Sequence, residues 1–386
     1  MEAVGATAEV LRRALMLSIM YTVAGFVQIR AGRPPREGKP ATPDRPEVLL
    51  MILNMWLLGA GVVLAAGAPE RLARFESTQP HMGTSFTVIA YAPDREAADR
   101  AVAAAFARIA RLDATLSDYD EESELCRLGR AAPTAMPVEV SDDLLAVLAS
   151  GQELSIRSRG AFDVTVGPLT KLWRRARRQR QLPEESRLQA AVAAVGHEHV
   201  RLDRAGRTVE LLRPGMRLDL GAIAKGYAVD QALIELGRHG IERALVNASG
   251  DMAASGPPPD KPGWLVGIAP LEPGAPPSVF GHLAHRAIAT SGDAFQFVEI
   301  AGVRYSHIVN PRTGYGLTVH SSVSVLANDC TTADGLASAA SVLGVQDGLR
   351  LIEEYPDTAA LIVVQQGGGP KTRQSTRFGD WALPPR

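Results

Sequence analysis

Residues 219–230 read DLGAIAKGYAVD, and in this segment small residues and a lysine stand at the start of an apolar-periodic run. Residues 217–220, which overlap the start of this segment, have the pattern of a strand that ends at Gly221. The periodicity after it predicts a helix, whose apolar side would be formed by Tyr227, Ala228, Leu233, Ile234 and Leu236. The segment is therefore predicted to be a strand-to-helix junction.

This junction has two interpretations. Small residues at a helix N-terminus leave backbone N–H groups free, and such a terminus favours an anion, to which Lys225 would add a mobile cation. The residue order matches neither the G-x-x-x-x-G-K-[ST] phosphate loop nor the G-x-G-x-x-G dinucleotide motif. The alternative is a well-packed corner with a solvent-facing lysine, and the segment alone leaves both open.

The rest of the chain mixes helices and strands without strict alternation. Helical periodicity covers residues 96–115, 142–157 with Ser141 as N-cap, 169–180, 184–195, 334–343 and 346–354. Strand patterns cover residues 82–91, 199–203, 208–212, 244–247, 264–268, 287–290, 296–300, 303–307 and 359–364, with a hairpin turn at Ala301-Gly302. The basic run on helix 169–180 is typical of a solvated face. Together these patterns predict an α+β fold with a largely antiparallel sheet flanked by helices.

Composition excludes several classes of function. The 386 residues have a formal net charge of −1, and aromatic residues make up 5%, so neither a basic nucleic-acid surface nor a base-stacking platform is indicated. Two cysteines, Cys126 and Cys330, cannot form a four-thiolate zinc site, although a single bridge between them is possible. No linker or repeat interrupts residues 70–386, which are predicted to form one domain.

The first 69 residues are predicted to be a signal or membrane-anchor region. Two uncharged apolar segments, 14–29 and 48–68, flank a Pro-rich segment with an excess of Arg and Lys. The second segment would be about 30 Å long as a helix, enough to cross a bilayer. Because basic loops stay cytoplasmic, the domain is expected on the periplasmic side of a bacterial membrane, tethered or released by cleavage after 66–68. Translation from Met51 is a further alternative.

A possible metal site occurs in TTADGLASAAS, residues 331–341. Thr331 or Thr332 could cap a helix, and Asp334 and Ser338 stand four residues apart, on one helix face. A carboxylate and a hydroxyl are hard oxygen ligands that suit Mg²⁺, which usually bridges substrate phosphates. The alternative is an aspartate that only compensates the helix dipole.

A histidine follows a predicted strand in RYSHIVNPRTG, residues 304–314. His307 stands at the strand end, where side chains commonly line a cleft, and the chain then turns through Asn310-Pro311. Such a histidine could be a general base near neutral pH, or a half-buried residue satisfied by the backbone.

Eight motifs, taken in order, resemble the ApbE family of flavin transferases. They are MGT (82–84), LSDY (116–119), GAFDVTVGPL (160–169), LDLGAIAKGYAVD (218–230), VNASGD (246–251), ATSGD (289–293), HIVNPRTG (307–314) and ADGLASAASVLG (333–344). The resemblance covers nearly all of residues 75–365. Eight motifs in the family's order are far more specific than any one of them, and they imply an ApbE-type domain over 70–386.

The resemblance implies an activity, its cofactors and a partner. Members of the family bind FAD as substrate together with Mg²⁺, and they transfer the FMN moiety to a threonine hydroxyl of a target protein with release of AMP. Their targets include subunits of membrane redox pumps. The implied partner is therefore a protein that bears an acceptor threonine and is modified outside the cytoplasm.

The family's functional positions can be placed on this sequence. One metal ligand is a backbone carbonyl that maps to Ala222, and the others map to Asp334 and Ser338. The cofactor-binding positions map to Met82, Tyr119, Ala161, Phe162, Asp163, Lys225, Gly250, Asp251 and Ile308. His307 is the expected base for the proton of the incoming threonine.

The sequence departs from the family's pattern at three positions in or beside these motifs. Ser338 replaces the usual threonine, and it offers one hydroxyl oxygen but lacks the β-branch that fixes the rotamer. Ser249 replaces a glycine of the usual GGD, which restricts φ at that position. Ser306 replaces the first of two histidines, so only His307 is retained.

Three alternatives to protein flavinylation stay open. Water could replace threonine, which would make the chain an FAD pyrophosphatase that yields FMN and AMP. The chain could instead be a non-catalytic flavin-binding protein, or an assembly factor for a membrane complex with a vestigial site. The presence of Asp334, His307 and Lys225 argues against the last of these.

Overall fold

The structure is a computed structural model that describes residues 72–268, 271–272 and 274–383. The predicted apolar segments 14–29 and 48–68 lie outside the described residues, so their role and the domain boundary at residue 70 stay predictions. Within the described part of the chain, no helix has the length and apolar character needed to cross a membrane.

The described residues form fifteen strands and eight α-helices. The strands are β1 (Ala73–His81), β2 (Thr84–Ala92), β3 (Val138–Glu139), β4 (Val200–Asp203), β5 (Thr208–Leu211), β6 (Arg243–Ala248), β7 (Asp251–Ala254), β8 (Trp264–Ile268), β9 (Val279–Leu283), β10 (Arg286–Gly292), β11 (Phe297–Ile300), β12 (Val303–Ser306), β13 (Ser321–Ala327), β14 (Ala359–Gln366) and β15 (Gly369–Gln374). The helices are α1 (Arg95–Leu116), α2 (Glu124–Arg130), α3 (Asp142–Arg157), α4 (Gly167–Gln179), α5 (Glu185–Ala193), α6 (Ala224–Arg238), α7 (Cys330–Glu353) and α8 (Phe378–Trp381).

An eight-stranded sheet organises the fold, in the order β1-β2-β6-β7-β10-β13-β14-β15. All its neighbouring strands are antiparallel, which confirms the predicted α+β class with an antiparallel sheet flanked by helices. Smaller sheets pair β3-β5-β4, β8-β9 and β11-β12.

The two faces of the large sheet are buried in different cores. Along β2, Phe86, Val88 and Ala90 belong to the main core, whereas Ile89 belongs to the second core, as the period-2 alternation of a strand requires. Helices α1, α6 and α7 supply much of the main core. The β8–β9 hairpin and α8 cover the other face. A third, smaller core joins α4 and α5 to the β11–β12 hairpin.

Most predicted elements are confirmed, with small shifts at their ends. The helix 142–157 and its Ser141 N-cap are found as predicted, with the Ser141 hydroxyl accepting from Leu144 N (3.3 Å). The hairpin turn at Ala301-Gly302 joins β11 to β12. The predicted helices 334–343 and 346–354 are two halves of α7, separated by Gly344, whose φ of 76° lies outside the helical region.

Three predictions of local structure were wrong. Residues 217–220 form no strand: Arg217 makes a single bridge to Val166, and Asp219 N donates to the carbonyl of Val164 in a loop (2.9 Å). The Asp219 side chain accepts from Gly221 N (2.8 Å). The N-cap of α7 is Asp329 rather than Thr331 or Thr332. Ile234 is 47% exposed and does not belong to the apolar side of α6. The cysteine bridge that the sequence left open is not formed, since Cys126 and Cys330 are free.

Candidate active site

The N-terminal ends of α6 and α7 meet at one place, beside the turn between β6 and β7. The Asp230 carboxylate of α6 accepts from Cys330 N (2.8 Å), from Thr331 N (2.8 Å) and from the Thr331 hydroxyl (2.6 Å). The helices approach so closely that a Cβ at Gly226 would overlap the carbonyl oxygen of Cys330. These contacts fix the spacing between the DLGAIAKG segment and the first turns of α7.

A lysine and two aspartates fill this junction. Lys225 forms an ion pair with Asp251, and its Nζ lies 3.7 Å from Asp334 Oδ2. Both carboxylates are buried, and Asp251 also accepts from Thr290 N (3.3 Å). The lysine is therefore not solvent-facing, and that interpretation of the junction was wrong.

The protonation of this cluster follows from its burial. Burial alone would lower the pKa of Lys225, but the two carboxylates outweigh it and raise that pKa above the ordinary value, so the ammonium is retained. Burial raises the pKa of Asp334 to about 7; Asp251 adds to the rise, and Lys225 opposes it. When both carboxylates are ionised, the single ammonium leaves an excess of negative charge, which a bound cation would neutralise.

The three predicted metal ligands belong to this junction. Gly226 N, which in a regular helix would donate to the Ala222 carbonyl, donates to Asp334 Oδ2 (3.2 Å), and the Ala222 oxygen accepts no hydrogen bond from the described residues. Ser338 lies one turn beyond Asp334 on α7, and its hydroxyl is 3.4 Å from that of Ser291. A carboxylate, a hydroxyl and an available carbonyl are a donor set that fits Mg²⁺, which keeps several waters. Within the described residues there is no group of three or more His, Cys, Asp or Glu side chains of the kind that holds a metal alone.

Two turns flank the lysine–carboxylate cluster. Met82 lies in the β1–β2 turn with a φ of 50°, and its N–H donates to Asp113 Oδ2 (2.7 Å). Ser249, at a φ of 51°, precedes Gly250 in the β6–β7 turn, and its hydroxyl bonds the Thr84 hydroxyl across the two turns. Ser249 thus adopts the left-handed conformation for which a glycine would be preferred.

His307 is half-buried at the end of β12. Its Nδ1 lies 3.1 Å from the Gln296 carbonyl, which can only accept, so Nδ1 carries the proton and Nε2 keeps its lone pair. Burial, together with the charges of Arg177 and Lys225, lowers the pKa of His307 to about 4, and the ring is therefore neutral at pH 7. Ile308, the next residue, donates from its N–H to the Ser306 hydroxyl (3.1 Å).

A half-buried arginine connects two of the motifs, and the sequence did not indicate it. Arg174 of α4 binds Asp118 Oδ2 (2.5 Å) and Asp219 Oδ2 (3.1 Å), and its guanidinium carbon lies 4.0 Å from the centroid of the Tyr119 ring. Burial and Asp219 raise the pKa of Asp118 to about 7, against the effect of Arg174. The basic run was interpreted as a solvated face, which concealed that Arg174 points inward. The Tyr119 ring itself is 74% exposed.

The remaining predicted residues lie apart from the cluster in buried positions. Ala161 is buried, and the Phe162 side chain packs in the main core. Asp163 accepts from Thr165 N (2.8 Å) and from His197 N (2.9 Å), so its carboxylate holds the loop that follows α3. The structure therefore groups Lys225, Gly250 and Asp251 with the expected metal ligands, whereas the Phe162 and Asp163 side chains have structural partners.

Comparison with known proteins places the chain in a family. A model described as the ApbE family matches residues 82–362. A Vibrio cholerae protein named FAD:protein FMN transferase is 31% identical over 342 residues, which are 84% of this chain and 98% of that protein. A Haemophilus influenzae protein of the same name is 32% identical over 275 residues, covering 69% of this chain and 79% of the relative.

Solved structures give the same relationship. The flavin transferase ApbE from Vibrio cholerae superposes with a TM-score of 0.72 at 29% identity, over 81% of this chain and 100% of the other. The apo form of the Pseudomonas stutzeri flavinyl transferase ApbE gives a TM-score of 0.71 at 32% identity, over 80% and 97%. The match of a family model to more than two thirds of the sequence, together with relatives of this identity and coverage, shows that the chain belongs to the ApbE family.

Proposed function

We propose that this protein transfers the FMN moiety of FAD to a threonine hydroxyl of a target protein, with Mg²⁺ as the required cation and AMP as the second product. Membership of the ApbE family and relatives named FAD:protein FMN transferase support flavin transfer to a protein. The observation that carries the finer proposal is the junction of Lys225, Asp251 and Asp334 beside the available Ala222 carbonyl.

The reaction exchanges the phosphoanhydride bond of the FAD pyrophosphate for a phosphate ester bond to threonine. The threonine oxygen attacks the FMN phosphorus, a new O–P bond forms, and the bond between that phosphorus and the bridging oxygen of AMP breaks, so AMP leaves with the bond's electrons. The threonine proton goes to His307 Nε2, which the Gln296 contact leaves as an acceptor. Phosphoryl transfer of this kind depends mostly on positioning and on charge neutralisation.

Lys225 and the cation site supply that neutralisation. The Lys225 ammonium, which the two aspartates hold in place and keep protonated, would contact the pyrophosphate oxygens near the start of α6. Mg²⁺ held by the Ala222 carbonyl, Asp334 and Ser338 would stabilise the charge that develops on the phosphoryl group and on AMP. The exposed Tyr119 ring beside Arg174 suits a stacking contact with a flavin ring.

We also propose that the reaction takes place on the periplasmic side of a bacterial membrane, on a subunit of a membrane redox complex. The two apolar segments at 14–29 and 48–68 and the Arg-rich segment between them support this location. Protease accessibility of the domain in spheroplasts, but not in intact cells, is the expected result. Protection of the domain in spheroplasts would contradict the proposed location.

The decisive experiment measures both products. Full-length protein, FAD, Mg²⁺ and an acceptor domain that bears a threonine should yield the covalent FMN mass on the acceptor and an equal amount of AMP. Asp334→Asn keeps the size of the side chain and should abolish both products while the fold is retained. AMP formed equally without an acceptor would indicate an FAD pyrophosphatase, and bound FAD without any AMP would indicate a flavin-binding protein. Transfer by Asp334→Asn at the wild-type rate would refute the metal assignment.

A further inference from the structure

Helix α4 has an exposed row of basic residues that the proposed reaction does not use. Lys171, Arg175 and Arg178 are spaced i, i+4 and i+7, so they lie along one side of the helix. All three are exposed, and they lie on the surface away from the buried Leu169 and Trp173. We refer to Lys171, Arg175 and Arg178 as the cationic stripe.

The stripe is not neutralised within the part of the chain that the structure describes. None of its three residues forms an ion pair with a described residue, and α4, with the sequence GPLTKLWRRARRQ, contains no acidic residue. On α1, by contrast, Arg100 pairs with Glu96 four residues away. Like charges spaced i, i+4 destabilise a helix rather than support it. The stripe therefore contributes nothing to the stability of α4 through ion pairs, and its charge is available to a partner.

The side of the same helix that adjoins the stripe is part of the candidate active site, since Arg174 is three residues from Lys171 and four from Arg178. Arg174 binds Asp219 of the DLG segment (3.1 Å). Arg177 Nη1 lies 3.4 Å from Gln296 Oε1, and the backbone carbonyl of Gln296 is the group that orients His307. A molecule that lies along the stripe on α4 is therefore within one helix diameter, about 10 Å, of the residues that contact both halves of the site.

We propose that the cationic stripe docks an acidic surface that surrounds the acceptor threonine of the target protein. This inference rests on the proposed function. From Lys171 to Arg178 the stripe extends about 10 Å along the helix axis. That length exceeds a single pyrophosphate, which in any case has its own cation at Lys225, and it fits an extended protein surface. Exposed charges of this kind act mainly on the rate of encounter and on its salt dependence.

The test compares two charge-reversed proteins of equal net charge. Lys171→Glu/Arg175→Glu/Arg178→Glu removes the stripe, and Arg204→Glu/Lys371→Glu/Arg373→Glu changes three exposed basic residues elsewhere. The probe is an acceptor domain whose threonine is surrounded by Asp and Glu, and its counterpart has Asn and Gln at those positions. Binding without FAD and kcat/KM for FMN transfer are both measured over a range of ionic strength, with full-length protein.

The stripe variant should bind the acidic acceptor at least about tenfold more weakly at low salt, with an equal loss in kcat/KM, whereas the KM for FAD is retained. The difference should disappear at high salt and with the Asn/Gln acceptor, and the control variant should behave as the wild type does. Equal kcat/KM in the stripe and control variants would overturn the docking proposal. So would salt-sensitive binding to phosphatidylserine vesicles that the stripe variant loses while its kcat/KM for the acceptor is unchanged. Stripe-dependent binding without any FMN transfer by the wild type would overturn the proposed function and leave docking supported.

Discussion

His307 is held in one tautomer and one charge state by its surroundings. The Gln296 carbonyl fixes the proton on Nδ1, and burial with the nearby Arg177 and Lys225 keeps the ring neutral. A neutral ring with a lone pair on Nε2 can accept a proton at pH 7, although a base of such low pKa is a weak one. The negative charge of bound FAD would raise the pKa toward the value at which proton transfer is most efficient.

We predict that His307→Ala lowers the transfer rate about a hundredfold at pH 7 without a large change in FAD affinity. Because the pKa of His307 is lowered to about 4, the wild-type ring is unprotonated from pH 8 down to about pH 5.5. Because kcat/KM for FAD reports the enzyme before FAD binds, the ratio of wild-type to variant kcat/KM for FAD should stay constant over that range and decrease only as pH falls through about 4. Using the ratio removes the effect of other groups that titrate in both proteins.

Two results would contradict this prediction. A ratio that decreases around pH 6.5 would mean that the ring titrates as an exposed histidine does. A ratio of one at every pH would exclude His307 as the base. FAD affinity, measured by flavin fluorescence, serves as the control that the variant keeps its binding site.

At the scale of elements, the contact between α6 and α7 sets the distance between Lys225 and Asp334. Asp230 joins the two helices through three hydrogen bonds, and Gly226 permits the close approach. Net contributions of about 1 kcal/mol for each of these hydrogen bonds would make Asp230 a substantial stabiliser of the junction. The positions proposed for the phosphate and the metal therefore depend on helix packing as much as on the side chains themselves.

We predict that Gly226→Ala separates these helices and destabilises the protein by about 2–3 kcal/mol, as expected for overpacking against rigid backbone. The rate of Mg²⁺-dependent transfer should fall even under conditions in which the variant remains fully folded. The matched control is Gly237→Ala on the same helix, where an added Cβ meets nothing within 4 Å. That change should stabilise the protein by about 0.5–1 kcal/mol, because alanine is the better helix residue. Urea denaturation measures both, and an equal effect of the two substitutions would exclude the packing explanation.

The sequence predicted elements well where one side of the element is buried. Helices α1 and α3 were found within a residue or two because their apolar residues recur at helical spacing. Strands β1 and β13 were missed for opposite reasons: β1 is an edge strand with few buried residues, and β13 is buried along most of its length, so neither alternates clearly. Residues 217–220 have strand-like composition, but their hydrogen bonds go to a loop, which only tertiary structure could show.

At the scale of the whole molecule, the candidate site is assembled from segments that are distant in sequence. Lys225, Asp251 and Asp334 meet only because β7 lies at the centre of the large sheet and α6 and α7 pack over it. Motif order, through resemblance to a family, was sufficient to name these residues. It could not show that Lys225 is paired with two aspartates or that Arg174 connects the LSDY and DLG segments, since both facts are long-range contacts.

Because the site joins several segments, its occupants should stabilise the whole fold. FAD and Mg²⁺ that bind only the folded protein, each at about a hundredfold excess over its Kd, would each add about 2.7 kcal/mol to the free energy of unfolding. For a domain of this size that corresponds to an increase in Tm of a few degrees. Since the cation and the pyrophosphate are expected to neutralise each other at one junction, we predict that FAD and Mg²⁺ together raise Tm by more than the sum of their separate effects. Asp334→Asn should remove this excess but keep the effect of FAD alone, and an excess that persists in the variant would show that the cation binds elsewhere.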